Sequence, residues 1–371
     1  MSQQTSISPS SRRLSLAFAT LRRGGIVLIR TADNRAALMR AAEYSDYDDG
    51  QMNDIADSAL LLCLRRQHLS ALGKAPSGKR PVFTTPAQAL SQDRLFAITY
   101  GHDDLSQSDI AFMGEREDSL ADLATTILRQ AKLLPSALIA GLISNDPQHH
   151  ARLADMHALP VINAFDSAHH DSTGHWQMTS SVRAKLPLSS APDSQIVMFR
   201  SEDGDENHFA IIVGNGDQQT APLVRLHSQC ITGDILGSLK CDCGPQLQTA
   251  LSEMAKAGGG ILLYLAQEGR DIGLMNKIRA YALQDGGHDT VDANHRLGFA
   301  TDERIFIPAA AMLKQLGITS LQLMTNNPDK LAQLEQYGLT ITNRVPLILE
   351  SNPHNEAYMK TKKDKTGHLL D

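Results

Sequence analysis

Apolar residues recur at helical spacing from Leu14 to Arg22; Gly24-Gly25 interrupts the pattern, and Ile26-Val27-Leu28-Ile29 follows as a short apolar run. The first stretch predicts a helix with one buried face, the second a buried strand. Helical spacing returns over Asp54 to Leu64 and Leu120 to Leu134, and Ala137 to Ile143 predicts a strand ending at the turn Asn145-Asp146-Pro147. Leu159 to Ile162 is the last strand-like piece of this half. From Asp166 to Pro192, Ser, His, Asp and Thr dominate and the periodicity fades, which predicts a linker or a surface crossing.

Strands are predicted next at Phe209 to Val213 and Leu223 to His227. A helix follows from Gln246 to Lys256, where Leu247, Ala250, Leu251 and Met254 fall at i, i+3, i+4 and i+7 and Gly258-Gly259-Gly260 ends it. The remaining pattern reads as strand Ile261 to Leu265, turn Gln267 to Arg270, helices Leu274 to Gln284 and Ala309 to Leu316, strand Leu321 to Met324 and turn Asn326-Asn327-Pro328. Alternation of this kind predicts an α/β domain, whose ligands bind beyond the carboxyl ends of the strands. Glu268-Gly269-Arg270 and Thr325 to Lys330 are therefore candidate loops. For Asp329 and Lys330 the competing expectation is a solvated first helical turn.

A chain of 371 residues exceeds one ordinary core and predicts two domains. No apolar run approaches a membrane span, and the polar, Ser-rich start (1–12) reads as a loose tail without the features of a signal peptide. A cytoplasmic location is expected. Net charge of −6 argues against binding a nucleic-acid polymer and leaves small molecules as the expected partners.

Chemistry concentrates in one place, because three of the four cysteines, Cys230, Cys241 and Cys243, form C-x10-C-x-C. Thiolates so close suit zinc. If His227 closes the shell the site is structural; with three ligands only, the fourth position can hold and acidify a water. Spacing admits both, and also a site without metal. Cys63, in an apolar run, reads as a core residue. Cys243 and Gly244 precede a helix, where unpaired N–H groups favour a thiolate or phosphate.

Together these pieces resemble GTP cyclohydrolase II over nearly all of Val182 to Asp371. The resemblance is carried by Arg225-Leu226-His227-Ser228, the three cysteines with Thr232-Gly233-Asp234, Gln267-Glu268-Gly269-Arg270, Asn276 to Gln284, Asp289-Thr290-Val291, Ala293-Asn294-His295, Leu297-Gly298-Phe299, Asp302, Arg304, Thr325 to Pro328 and Gly367-His368-Leu369-Leu370. It implies a hydrolase acting on a cyclic amidine: water held by one zinc per chain attacks C8 of guanine in GTP, formate leaves, and pyrophosphate is lost separately. Implied metal ligands are Cys230, Cys241 and Cys243. Implied substrate contacts are Arg225, Leu226, His227, Ser228, Gln229, Gln246, Glu268, Gly269, Arg270, Thr290, Thr325 and Lys330. Among them Glu268 would read the guanine edge, while Arg225, Arg270, Thr325 and Lys330 would hold ribose or a triphosphate carrying Mg²⁺. Tyr281 is implied to relay protons, although helical spacing alone equally suits a core aromatic facing Leu274 and Ile278. Asp302 and Arg304 are implied to act at the α-phosphate, Arg304 as a nucleophile. A guanidinium with a pKa above 12 is a poor nucleophile and better suited to stabilising charge.

Gln229, Lys240, Ala266 and Asp271 depart from the family's usual residues, Asp271 standing where Gly or Asn is common. Gln229 and Lys240 change charge or fork geometry and leave room for a related nucleotide substrate; a non-catalytic zinc-stabilised module is a further alternative, against which the presence of Asp302, Arg304, Tyr281 and Glu268 argues. A homodimer is expected.

In the first half, Leu21 to Leu28, Asp122-Leu123 with Leu133 to Ile139, and His157 to Ile162 resemble 3,4-dihydroxy-2-butanone-4-phosphate synthase in the same order. That family's acidic run is replaced by Arg30 to Arg35, with only Asp33 acidic, and its Gly-His-Thr-Glu segment by Arg116-Glu117-Asp118-Ser119. The expected fold class is therefore an α/β GTP cyclohydrolase II-like domain (182–371) preceded by a degenerate α+β synthase-like domain (13–175).

Overall fold

The computed structural model describes residues 8–44, 50–76, 78–172, 176, 178–201 and 206–347. The closing motif Gly367 to Leu370 lies outside them. Two compact units form: one from Met1–Asp171 with Met275–Glu303, the other from Ser172–Leu274 with Arg304–Asp371. Each unit is therefore discontinuous in sequence: Met275–Glu303, from within the cyclohydrolase-like half, packs with the first unit.

The first unit is a seven-stranded sheet. Its strands are β1 (Val27–Arg30), β2 (Ala36–Ala41), β3 (Leu61–Arg65), β4 (Val82–Pro86), β5 (Met113–Glu115), β6 (Ser136–Gly141) and β7 (Val161–Asn163), ordered β5-β4-β3-β6-β2-β1-β7. All pairings are antiparallel except β1 with β7. The helices Pro9–Leu21 and Leu120–Gln130 share a core with Val27, Ile29, Met39, Cys63, Ala137 and Ile139, while Leu28, Leu38, Leu62, Leu64, Leu138 and Ala140 enter a second core. Burial on both faces explains why these strands read as continuous apolar runs.

Three expectations change here. Residues 9–12 are helical and not part of a tail, since the Ser8 side chain accepts the Ser11 N–H and Pro9 suits the first helical position. Asp54 to Leu64 is not a helix: a short helix ends at Ile55, and Leu61–Arg65 is a strand. Its apolar residues face two cores, a demand that a one-sided helix cannot meet. The polar stretch from Asp166 to Pro192 contains the end of helix Ala164–His170 and strand β8 (Thr179–Lys185). Asp166 is polar but fully buried: it completes a capping box with Asn163 and accepts Arg13 Nε at 2.9 Å.

The second unit carries β8, β9 (Ser194–Arg200), β10 (Asn207–Gly214), β11 (Leu223–Ser228), β12 (Gly259–Leu265), β13 (Ser320–Met324) and β14 (Thr340–Val345), in the order β14-β13-β11-β12-β10-β9-β8. Strands β8 to β10 are antiparallel, and β12, β11, β13 and β14 run parallel to one another. One face packs Val224, Leu226, Leu263 and Leu323 on helix Ile307–Gln315; the other packs Ile211, Val213 and Leu262 on helix Cys243–Lys256. The parallel strands β11, β12 and β13 deliver their following loops to one side of the sheet.

Candidate metal centre

Strand β11 ends at His227-Ser228; the chain then passes Cys230, a π-helical turn at Ile231–Ile235, and Cys241 and Cys243 at the start of helix Cys243–Lys256. The three sulfurs lie within 4.8 Å of one another, and those of Cys230 and Cys241 are 3.6 Å apart. Zinc bound at about 2.3 Å in tetrahedral geometry spaces its sulfur ligands by about 3.8 Å, so this donor set fits the ion. Among the described residues it is the one group of three or more Cys, His or carboxylate side chains gathered closely enough to hold a metal. Hydrogen bonding to Cys230 and burial push the Cys241 thiol up to about 11, and Cys230, Cys241 and burial raise that of Cys243 well above its ordinary value. Sulfurs crowded this way become thiolates readily only around a cation.

Gly233 leaves the space the sulfurs use. A Cβ there would lie 2.8 Å from Cys241 Sγ and 3.1 Å from Cys230 Sγ. Gly233→Ala is therefore expected to lower bound zinc severalfold in a protein whose circular dichroism is unchanged. Full zinc content in that variant would show that the loop yields.

His227 stays outside the sulfur cluster. Its Nε2 lies 3.1 Å from each oxygen of Asp234, and its ring stacks on Tyr264 at 5.5 Å between centroids. Burial lowers the His227 pKa against the pull of Asp234, which favours the neutral ring. Because a carboxylate only accepts, Nε2 carries the hydrogen. Asp234 Oδ2 also accepts the Tyr264 hydroxyl at 2.8 Å and the Cys230 N–H at 3.0 Å. Asp234 thus ties the first cysteine's backbone to β11 and β12.

Around this hub stand buried polar groups. Arg225, 7% exposed, donates Nη2 to Gln246 Oε1 at 2.5 Å and Nη1 to the Met324 carbonyl at 3.2 Å, while its Nε has no partner among the described residues. Gln246 in turn donates to Asp242 Oδ2. Burial lowers the Arg225 pKa to about 10, which leaves a cation at neutral pH. Glu268 accepts the Ile231 N–H at 2.7 Å. Lys330 is 8% exposed and donates to the Leu226 carbonyl at 2.9 Å, so the solvated-turn expectation fails for it: Pro328 starts its helix beside the end of β11. Leu226 itself points into the core and offers the site only that carbonyl. Thr325 Oγ1 accepts the Asn327 N–H, bracing the loop after β13. Arg304 Nη1 donates to Ser228 Oγ at 3.3 Å, which donates to Gln267 Oε1 at 3.3 Å, and Gln229 is held by its N–H to the Leu265 carbonyl.

Gly269, Arg270 and Asp271 take φ of 65°, 62° and 77° in succession. Left-handed backbone is unremarkable for Gly269 and costs Arg270 and Asp271 about 1 kcal/mol or more each. Asp271→Gly is expected to stabilise the protein by about 1 kcal/mol in denaturant titration. Destabilisation would mean that the Asp271 side chain holds the loop more strongly than its backbone resists it.

Tyr281, Thr290 and Asp302 belong to the first unit. Tyr281 lies beneath the Lys277 ammonium, 5.8 Å from the ring centroid. Leu274 and Ile278 are 38% and 46% exposed, so the core these residues would share with Tyr281 is absent. Thr290 opens a helix capped by Asp289, and Asp302 is exposed. The sequence alone marks no role for Asp234, Tyr264 or Gln267. Asp234 was visible within its motif, but the pairing of Tyr264 with His227 depends on strand register.

The family model for GTP cyclohydrolase II matches residues 179–346. A GTP cyclohydrolase-2 from Azospirillum brasilense is 41% identical over 368 residues, which cover 97% of this chain and 94% of the relative. GTP cyclohydrolase-2 from Shigella boydii serotype 18 is 52% identical over 195 residues, 53% of this chain and 99% of the relative. A solved two-domain 3,4-dihydroxy-2-butanone 4-phosphate synthase from A. baumannii aligns with 90% of this chain and 99% of its own at 16% identity and a TM-score of 0.36, too low to bear on the fold. Convergence of the three cysteines in the single connection between β11 and helix Cys243–Lys256, joined to 41% identity along almost the whole length, places this chain in the GTP cyclohydrolase II family.

Proposed function

We propose that the chain converts GTP to 2,5-diamino-6-(5-phosphoribosylamino)pyrimidin-4(3H)-one, formate and pyrophosphate, the first step of riboflavin biosynthesis, using one zinc held by Cys230, Cys241 and Cys243. The observation that supports this reading is the gathering of three sulfurs with buried Arg225, His227, Glu268 and Lys330 on and after the parallel strands β11, β12 and β13 of a mixed sheet. Zinc, when bound, supplies an acidified water, its pKa lowered from 15.7 toward about 7.

The chain's own residues do the rest. Glu268 accepts hydrogen bonds from guanine N1–H and the 2-amino group, donors that adenine does not offer; its oxygens have lone pairs beyond the one given to Ile231. His227 Nδ1 accepts from the nucleotide while Asp234 fixes the ring. Arg225 presents its Nε to ribose or phosphate, and Lys330 and Arg270 add positive charge for the Mg²⁺-carrying triphosphate. Arg304 stabilises charge at the α-phosphate with Asp302 as its acidic partner, and Tyr281 moves a proton near the ring. Desolvated Arg225 and Glu268 act more strongly than they would in water.

Incubation of the purified protein with GTP, Zn²⁺ and Mg²⁺ tests the reading. Formate, pyrophosphate and the diaminopyrimidine are expected, and their absence from folded, zinc-loaded protein would overturn it.

The first unit is proposed to lack dihydroxybutanone phosphate synthase activity. Asp33, its one acid in the matching run, is taken up by Thr31 and Arg35 and lies 3.5 Å from Arg116. Ribulose 5-phosphate given to the full chain should remain unchanged; formation of the four-carbon phosphate would refute this.

A further inference from the structure

The segment Met275–Glu303 comes from the cyclohydrolase half of the sequence, carries Tyr281 and Asp302, and packs with the first unit. Its attachment is built from buried polar contacts. At one end, Glu43, whose side chain is 5% exposed, accepts the Leu134 N–H at 2.8 Å and pairs with Arg279 at 3.3 Å. The Arg279 guanidinium lies 4.9 Å from the Tyr100 ring centroid and also donates to Asn276, which donates to the Lys132 carbonyl at 2.9 Å. In the middle, Arg296 donates to the Gly101 carbonyl at 2.8 Å and Gln67 to the Gly298 carbonyl at 2.9 Å. The backbones approach so closely that a Cβ on Gly101 would lie 2.6 Å from the Arg296 carbonyl oxygen. At the far end Glu303, 8% exposed, accepts Arg65 at 2.9 Å and the Ala300 N–H at 2.7 Å, with Arg129 at 3.9 Å.

We propose that the first unit serves the cyclohydrolase reaction by holding this segment, with Glu43 and Glu303 as positioning residues that set Tyr281 and Asp302. The proposal rests on the functional reading above. A surface pair contributes little, but a buried carboxylate bound by a guanidinium and a backbone N–H fixes geometry, because breaking it strands a charge. Glu303 adjoins Asp302 in the chain, and Glu43 grips the helix that carries Tyr281 through its Asn276–Arg279 face. Misplacement of a reacting group by about 1 Å can cost a hundredfold in rate.

Arg65→Ala and Glu43→Gln in the full-length, zinc-loaded protein test this, with amide hydrogen exchange and steady-state kinetics read on the same samples. Exchange across 275–303 should accelerate while that of 230–243 and the zinc content stay as in the unaltered protein. For GTP, kcat should fall about tenfold or more with KM changed far less, and Arg65→Lys should recover part of the loss. Unchanged exchange over 275–303 in both variants would overturn the anchoring. Faster exchange with unaltered kcat would overturn its role in the reaction. If the unaltered protein itself turns over no GTP, the functional reading fails, and the exchange data still decide whether the first unit holds the segment.

Discussion

Cys241→Ser is expected to leave less than about a tenth of the zinc and to cut formate release by about a thousandfold, roughly 4 kcal/mol of barrier. The sulfur it removes stands 3.6 Å from Cys230 Sγ, and a serine hydroxyl does not replace a thiolate. His227→Ala should keep its zinc, because the ring is committed to Asp234 and lies outside the sulfur cluster. The phosphate end should respond differently. Arg304 donates to Ser228 and lies over the Phe306 ring, so pyrophosphate release by folded Cys241→Ser protein should persist at a measurable rate. Elemental analysis and both product assays on one sample decide the matter. Equal zinc loss in the two variants would make His227 a ligand; equal loss of formate and pyrophosphate would end the separation of two centres.

The second large effect is expected at Asp234, whose carboxylate lies outside the cluster of three sulfurs. Its carboxylate receives His227, Tyr264 and the Cys230 N–H. Asp234→Ala leaves the buried His227, the Cys230 N–H and the half-buried Tyr264 without their acceptor, at about 1–3 kcal/mol for each buried donor left unsatisfied. Loss of an outer partner of a metal ligand typically lowers affinity 10–100-fold, so zinc affinity should fall within that range and formate release with it. Asp234→Asn should be milder, since its amide oxygen still accepts. Zinc competition with a chelator measures the change. Wild-type affinity in a folded Asp234→Ala protein would show that Asp234 does not organise the loop.

The elements whose apolar residues face one side were legible from the pattern alone. Leu120–Gln130 and Cys243–Lys256 form as helices because a single buried stripe at 3.6-residue spacing suits nothing else. The strand Leu61–Arg65 was hidden because burial on both faces erases alternation, and β8 because polar residues near the end of a sheet carry no apolar signal. In the site, the three cysteines were legible because a metal needs soft donors in a short span, whatever the rest of the chain does. The burial of Lys330 was not, since a lysine in a first helical turn looks the same whether it meets water or the Leu226 carbonyl.

Sequence by itself determined the clustering of Cys230, Cys241 and Cys243, the succession of β11, helix Cys243–Lys256 and β12 around them, and the family these belong to. Only the tertiary structure decided that His227 faces Asp234 and not the sulfurs, because that choice depends on β11 lying beside β12 with His227 opposite Tyr264. It also decided that Met275–Glu303 leaves its sequence neighbours to join the first unit. Glu43 and Arg279 are separated by 236 positions along the chain, and no local pattern records that two opposite charges so far apart will share one buried site.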